Sequence, residues 1–296
     1  MKKTATAFLI LFALTGCNES KNSTNSESMD LTNNPLLVES TLPYFTPDFS
    51  TIQNAHFKPA ILEGIRQQKE AVEKIALDKE EATFENTIVA LEKSNELLQR
   101  VLAPFYALTG AHTNDTLQAV QEEIAPLLAE KEDFIYLNDA LFARVKELFN
   151  KKESLNLDPE SLKLLEVYFE NFEIAGANLS SEKKEELKKI NASLATLSAQ
   201  FNKTLLAANN EGAVIFKSKE DLAGLSDSEI ESRKVKDSEE WKIPLLNTTQ
   251  QPLLVSMSNR DAREKPFKSA WFIADGSKND TKSIVLDIVQ ARAKKA

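Results

Sequence analysis

The stretch SEKKEELKKINASLATLSAQFNKTLLAANN, residues 181–210, indicates the fold class of this chain. Its large apolar residues recur every three or four positions, which places them on one face of an α-helix. That face consists of Leu187, Ile190, Leu194, Leu197, Phe201 and Leu205. We expect it to be a seam for another helix rather than a ligand site.

Helical spacing also continues on the N-terminal side of this stretch. It predicts a helix from about Pro59, a long helix over 84–109, and further helices over about 114–133, 138–150 and from 159 onward. Asn114 and Asp158 stand where N-caps are expected, and Pro159 suits a first helical position. With only seven glycines in 296 residues, the sequence predicts a mainly all-α fold.

The pattern changes after Asn210. Two short apolar runs, residues 212–216 and 241–246, predict a two-stranded β element, with a capping box at Ser226 between them. Helical spacing returns over about 251–272, where Pro266 is expected to kink or divide the helix, and again from Asp280 to the end.

The first residues indicate export. Lys2 and Lys3 precede a short apolar stretch, and Leu14-Thr15-Gly16-Cys17 is typical of a lipoprotein signal peptide, residues 1–16, followed by lipidation of Cys17. The alternative, a transmembrane helix, is disfavoured because the apolar stretch is shorter than the roughly 20 residues that span a bilayer. This predicts attachment to a bacterial membrane, facing the periplasm, and Asn18 favours the outer membrane.

Two regions follow the signal peptide. Residues 17–33 are rich in Ser and Asn and predict a disordered tether, and residues 34–296 are long enough for a large core. The chain carries 36 basic and 45 acidic residues, a formal net charge of −9, which argues against nucleic-acid binding.

Several motifs in the body resemble one family. The motifs are NPLLVESTLPY (34–44), FENTI (84–88), AHTND (111–115), IYLN (135–138), LFARV (141–145), QFN (200–202) and PLLNTTQQP (244–252). In this order they are similar to the N-terminal part of Dcp-type bacterial peptidyl-dipeptidases, within the thimet oligopeptidase-like family of zinc metallopeptidases.

The resemblance implies a helical protein with two lobes around a narrow channel. Family members bind zinc on a His-Glu-x-x-His helix and remove dipeptides from the C-termini of short peptides. The only histidines here, His56 and His112, are far apart in sequence, and no such motif occurs. We therefore assign no catalytic or metal-binding residue, and expect no cofactor and no activity for this chain alone.

Some residues are candidates for lining a peptide channel: His112, Asn247, Thr248, Thr249 and Gln250. The alternatives are structural: His112 stands at a helix end, and the run at 247–250 can be a capped helix start. His56 is expected to make a loop-to-helix contact, and the paired acids at 122–123 and 239–240 are expected to be solvated.

Two hypotheses remain from the sequence. The first is the N-terminal part of a lipid-anchored zinc dipeptidyl carboxypeptidase, shortened by a gene break, a frameshift or a partial sequence. The sequence leaves open whether the missing catalytic part is encoded nearby or is encoded separately and joins this part in trans. The second is a non-catalytic lipoprotein that binds peptides or has a structural role. The apolar face of the last helix, which has no closing cap, favours the first hypothesis.

Overall fold

Helices make up most of the structure, a computed structural model that describes Leu31 and residues 33–296. The signal peptide, Cys17 and nearly all of the predicted tether lie outside the described residues. The N-terminal helices are α1 Asn54–Ala76, α2 Ala90–Lys93, α3 Glu96–Ala111, α4 Asp115–Tyr136, α5 Asp139–Asn150, α6 Pro159–Ala175 and α7 Ser181–Glu211. Strands β1 Val214–Phe216 and β2 Trp241–Ile243 follow, with helices α8 Asp227–Glu231, α9 Asn247–Ser256, α10 Arg260–Trp271 and α11 Lys282–Lys295. The prediction of a mainly all-α fold is confirmed.

Side-chain caps begin several of these helices where the sequence predicts them. The side chain of Asn114 accepts a hydrogen bond from the Leu117 amide, and that of Asp158 accepts from the amides of Glu160 and Ser161. Because these bonds satisfy amides at the open end of a helix, the chain can start α4 and α6 at defined residues.

Two apolar cores hold the N-terminal helices together. The first core is formed by α1, α3 and α4, around Leu36, Phe57, Ala60, Ile61, Ile65, Leu98, Val101, Phe105, Leu117, Val120 and Ile124. The second involves the other end of α1 together with α5 and α6, around Val72, Ile75, Ala82, Phe84, Ile88, Leu91, Ile135, Leu141, Phe142, Val145, Leu148, Leu165, Phe172 and Ala177. Helix α1 therefore contributes to both cores.

A glycine permits close contact between α1 and α3. A Cβ added to Gly64 would lie 3.0 Å from the Cα of Leu98, closer than ordinary van der Waals contact. The backbone of α1 can approach α3 here only because position 64 has no side chain.

The C-terminal region has a core of its own. Strands β1 and β2 pair antiparallel, with Phe216 opposite Trp241, which confirms the predicted β element. The third core consists of Val214, Phe216, Leu222, Leu225, Ile230, Trp241, Ile243, Leu245, Leu253, Met257 and Ala262. It places α9 and α10 against the β pair.

Three helix boundaries differ from the sequence prediction. Helix α1 begins at Asn54, five residues before Pro59. The predicted helix over 84–109 is divided into a π-helical segment at Phe84–Val89, α2 and α3. Pro266 lies within α10 and does not divide it; the break falls at residues 257–259, where the Asn259 side chain caps α10.

Helix α7 lies against α4 and α11. Of its predicted apolar seam Leu187 is buried, whereas Ile190, Leu194, Leu197, Phe201 and Leu205 are half-buried. Among the residues that the structure describes, no helix combines the length and the apolar character needed to cross a membrane.

Candidate functional site

His112 closes helix α3. Its backbone N–H donates to the Leu108 carbonyl at 2.8 Å, and its side chain is exposed. This position agrees with a structural role at a helix end, which the sequence offered as the alternative to channel lining.

The other predicted channel residues lie at the start of α9. The hydroxyl of Thr249 donates to the carbonyl oxygens of Pro244 and Leu246, at 2.8 and 3.1 Å. Thr248 is exposed and Gln250 is buried, while the side chain of Asn247 lies outside the described part. The bonds of Thr249 close the turn that leads into α9, so its hydroxyl acts within the chain.

The structure places these candidates beside different apolar cores. His112 ends a helix of the first core, whereas Thr249 and Gln250 begin a helix of the third core. Among the described residues, no hydrogen bond joins the two positions. Lining of one common channel therefore stays a prediction.

A groove of about 260 Å³ lies next to His112, between α3, α4 and α7. It is lined by Tyr106, Thr109, Gly110, Thr113, Gln118, Gln121, Glu122, Ala199, Asn202, Lys203 and Leu206. The Lys203 ammonium and the Glu122 carboxylate form an ion pair across α4 and α7 at 3.0 Å. Because both side chains are partly solvated, this pair orients the rim more than it stabilises the fold.

The groove offers hydrogen-bonding groups rather than reactive ones. The Thr113 hydroxyl is buried and has no hydrogen-bond partner among the described residues. Burial raises the pKa of the Tyr106 phenol above its ordinary value, so this side chain stays a neutral donor at physiological pH. Such a surface can bind an extended polar chain through amide and hydroxyl contacts, but it assembles no nucleophile with a base.

His56 is engaged in the entry to α1. Its Nδ1 accepts a hydrogen bond from the Gln53 amide at 3.1 Å, and its backbone carbonyl accepts one from the Asn34 side chain at 2.8 Å. The predicted loop-to-helix contact is thus confirmed, and the ring nitrogen nearest the backbone is already used.

The zinc of the resembled family does not fit the described residues. They contain no group of three or more histidine, cysteine, aspartate or glutamate side chains that could hold a metal ion. Tetrahedral zinc sites need about three such ligands.

The sequence interpretation missed Tyr106, Lys203 and Glu122 as groove residues. Glu122 was expected to be solvated, yet it is half-buried and paired with Lys203; its neighbour Glu123 is exposed and pairs with Lys58 at 2.6 Å. The spacing of Gln118, Gln121 and Glu122 along α4 marks a polar helical face. It does not reveal that α7 covers this face.

Comparison with known proteins gives relatives along nearly the whole chain. The dipeptidyl carboxypeptidase of Escherichia coli is 46% identical over 271 residues, 90% of this chain and 40% of the relative. That of Salmonella typhimurium is 44% identical, covering 88% of this chain and 39% of the relative. Oligopeptidase A of Haemophilus influenzae is 27% identical, covering 80% and 34%. No protein-family model matches the chain.

These relatives are all named as peptidases, and the chain is homologous to that class by sequence. Its similarity to the dipeptidyl carboxypeptidases extends over about 90% of this chain, as the motifs predicted. The chain spans about 40% of the length of the dipeptidyl carboxypeptidases that it matches.

Proposed function

We propose that this chain supplies the helical, non-metal-binding part of a peptidyl-dipeptidase, a zinc metallopeptidase that removes dipeptides from the C-termini of short peptides. The observation that carries the proposal is the 46% identity to a dipeptidyl carboxypeptidase along 90% of the chain. The mainly helical fold agrees with it.

In this proposal the zinc ligands belong to a part of the peptidase that is not among these 296 residues. Zinc held there would supply Lewis-acid chemistry to the cleavage. The residues of this chain bind and orient the peptide. The groove beside His112 suits that role because Thr113, Gln118 and Asn202 can bond a peptide backbone without attacking it.

A chimera tests the proposal. In the Escherichia coli enzyme, this chain with Cys17→Ser replaces the matching 271-residue part. We expect the chimera, with zinc, to release C-terminal dipeptides from an N-acetylated short peptide. Mass spectrometry of the products measures this release. This chain alone is expected to release none, and cleavage by it would place the catalytic residues within these 296 positions.

The second candidate function is peptide binding without cleavage. The buried, unpartnered hydroxyl of Thr113 in the groove favours it, because a bound peptide group would satisfy this hydroxyl. Calorimetry of this chain with short peptides separates the two functions. Tight binding by the chain together with an inactive chimera would favour the binding protein.

The anchor and location belong to the same proposal. Cys17 carries lipid, and the chain is held at the periplasmic face of a bacterial membrane, with the outer membrane as the expected site. Metabolic labelling with an alkyne fatty acid should mark the chain and should fail after Cys17→Ser. Labelling that persists in the variant would exclude Cys17 as the lipid site.

A further inference from the structure

One group of exposed apolar side chains lies on α9, on α10 and at the end of α10. We call it the aromatic face and define it by Leu254, Val255, Phe267, Trp271 and Phe272. Trp271 is 73% exposed and Val255 is 87% exposed, and Phe267 and Phe272 are also exposed. The rings of Phe267 and Trp271 stack on each other with centroids 5.9 Å apart.

Helix α10 turns its small side chains inward and its large ones outward. Ala262 is buried in the third core and Pro266 is buried too, whereas Phe267 and Trp271 are exposed. A helix of a stable core does the reverse, because burial of a large apolar side chain stabilises the folded state. In this arrangement the rings of Phe267 and Trp271 contribute little to stability unless another surface buries them.

A groove of about 370 Å³ runs along the aromatic face. Leu254 of α9 and Phe267 of α10 line it together with Arg260, Asp261, Arg263 and Glu264. Both signs of charge therefore stand beside an aromatic centre. Interfaces between protein surfaces have this anatomy, with tryptophan and other aromatic side chains at the centre and a polar rim.

We propose that the aromatic face is an interface for the part of a dipeptidyl carboxypeptidase that this chain does not cover. The chain matches only 40% of the length of its relative, so the larger part of such a protein lies outside it. This inference rests on the proposed function and adds to it the surface at which the two parts meet. A large exposed apolar patch on a monomer is uncommon, which supports a covering surface.

Thiol labelling of the chimera described above tests the interface. Trp271→Cys places a reactive thiol on the aromatic face, and Ile174→Cys places one on α6, where Ile174 is 75% exposed and serves as the matched control. We expect the thiol at 271 to react at least 10-fold more slowly in the chimera than in this chain alone. The thiol at 174 should react at the same rate in both, with modified peptides assigned by mass spectrometry.

A charge substitution gives a second readout. Trp271→Asp should lower the thermal midpoint of the chimera by several degrees and reduce dipeptide release, while leaving the midpoint of this chain alone unchanged. Ile174→Asp should leave both unchanged. An unchanged thermal midpoint of the free chain shows that the variant still folds. A lower midpoint and less dipeptide release in the chimera alone would then result from the interface.

The outcomes separate the two proposals. Equal labelling at 271 in the chain and in an active chimera would overturn the interface and leave the proposed function standing. An inactive chimera with equal labelling would overturn both. If labelling at 271 of the chain alone slows as its concentration rises, a second copy covers the aromatic face and the assigned occupant is wrong.

Discussion

Helices α1 and α10 use their large side chains in opposite ways. In α1, Phe57 and Ile61 are fully buried in the first core, whereas α10 buries Ala262 and Pro266 and exposes Phe267 and Trp271. Both helices carry apolar residues at helical spacing, so their sequences look alike. The difference teaches that periodicity identifies a helix and its faces, but not which face this chain covers by itself.

Removing one ring from each helix should give the largest contrast. Phe57→Ala is expected to lower the free energy of unfolding by about 3–5 kcal/mol, because it leaves a cavity in the first core. Trp271→Ala should change it by no more than about 0.5 kcal/mol in the chain alone. Urea unfolding followed by circular dichroism measures both, and a large loss from Trp271→Ala would show that the aromatic face is already covered.

The close approach of α1 to α3 predicts the next effect. Gly64→Ala should destabilise by about 1–3 kcal/mol, because the new Cβ meets the backbone of Leu98. Gly110→Ala is the matched control: nothing lies within 4 Å of its added Cβ, and the change should stabilise α3 by up to about 1 kcal/mol. Equal unfolding midpoints for the two variants would contradict the packing of α1 against α3.

Removal of a helix cap should give a smaller effect, and it can be compared between α5 and α10. Asn138→Ala removes the cap of α5, whose side chain accepts from the Leu141 amide, and should cost about 1 kcal/mol. Asn259→Ala removes the cap of α10 and should cost about the same if α10 unfolds together with the rest. If the unfolding curves show no effect of Asn259→Ala, α10 frays separately from the main transition.

The smallest predicted effect depends on pH. Burial raises the pKa of Asp133 above its ordinary value, although the hydrogen bond from Asn191 and the charges of Lys295 and Lys188 oppose this. The folded chain therefore holds this proton more tightly than the unfolded chain. The stabilising contribution is full below the unfolded pKa of about 3.9 and is lost as pH rises through the raised pKa.

Asp133→Asn cannot ionise and can still accept the hydrogen bond from Asn191. Its free energy of unfolding should therefore match that of the parent chain at low pH and exceed it at neutral pH. Denaturation curves at several pH values measure the difference. A gap that is constant across this range would show that Asp133 titrates alike in both states.

Local signals predicted much of the fold. The caps at Asn114 and Asp158 and the capping box at Ser226 stand where the sequence placed them, because each depends on bonds to residues two or three positions away. The helix breaks at 94–95 and 257–259 were missed, since neither contains glycine or proline. At 94–95 the Ser94 hydroxyl donates to the Leu91 carbonyl, and at 257–259 the Asn259 side chain caps the next helix. Apolar periodicity does not record such bonds.

The candidate site was harder to predict, because its parts are distant in sequence. His112 was recognised as a helix-end residue from its neighbours alone. The groove beside it needs Lys203 of α7 opposite Glu122 of α4, and no local pattern links positions 81 residues apart. The exposure of Phe267 and Trp271 was likewise hidden, because it depends on how α10 packs against residues that are distant in sequence.

Helix α1 contributes side chains to both N-terminal cores, and this affects how the protein unfolds. A single continuous helix of 23 residues supplies Phe57 and Ile61 to one core, and Val72 and Ile75 to the next. Loss of either core removes part of the packing of that helix, so we expect the two cores to unfold in one cooperative step. Amides along α1 should therefore share one slow rate of hydrogen exchange. We expect this rate to be the slowest among the N-terminal helices.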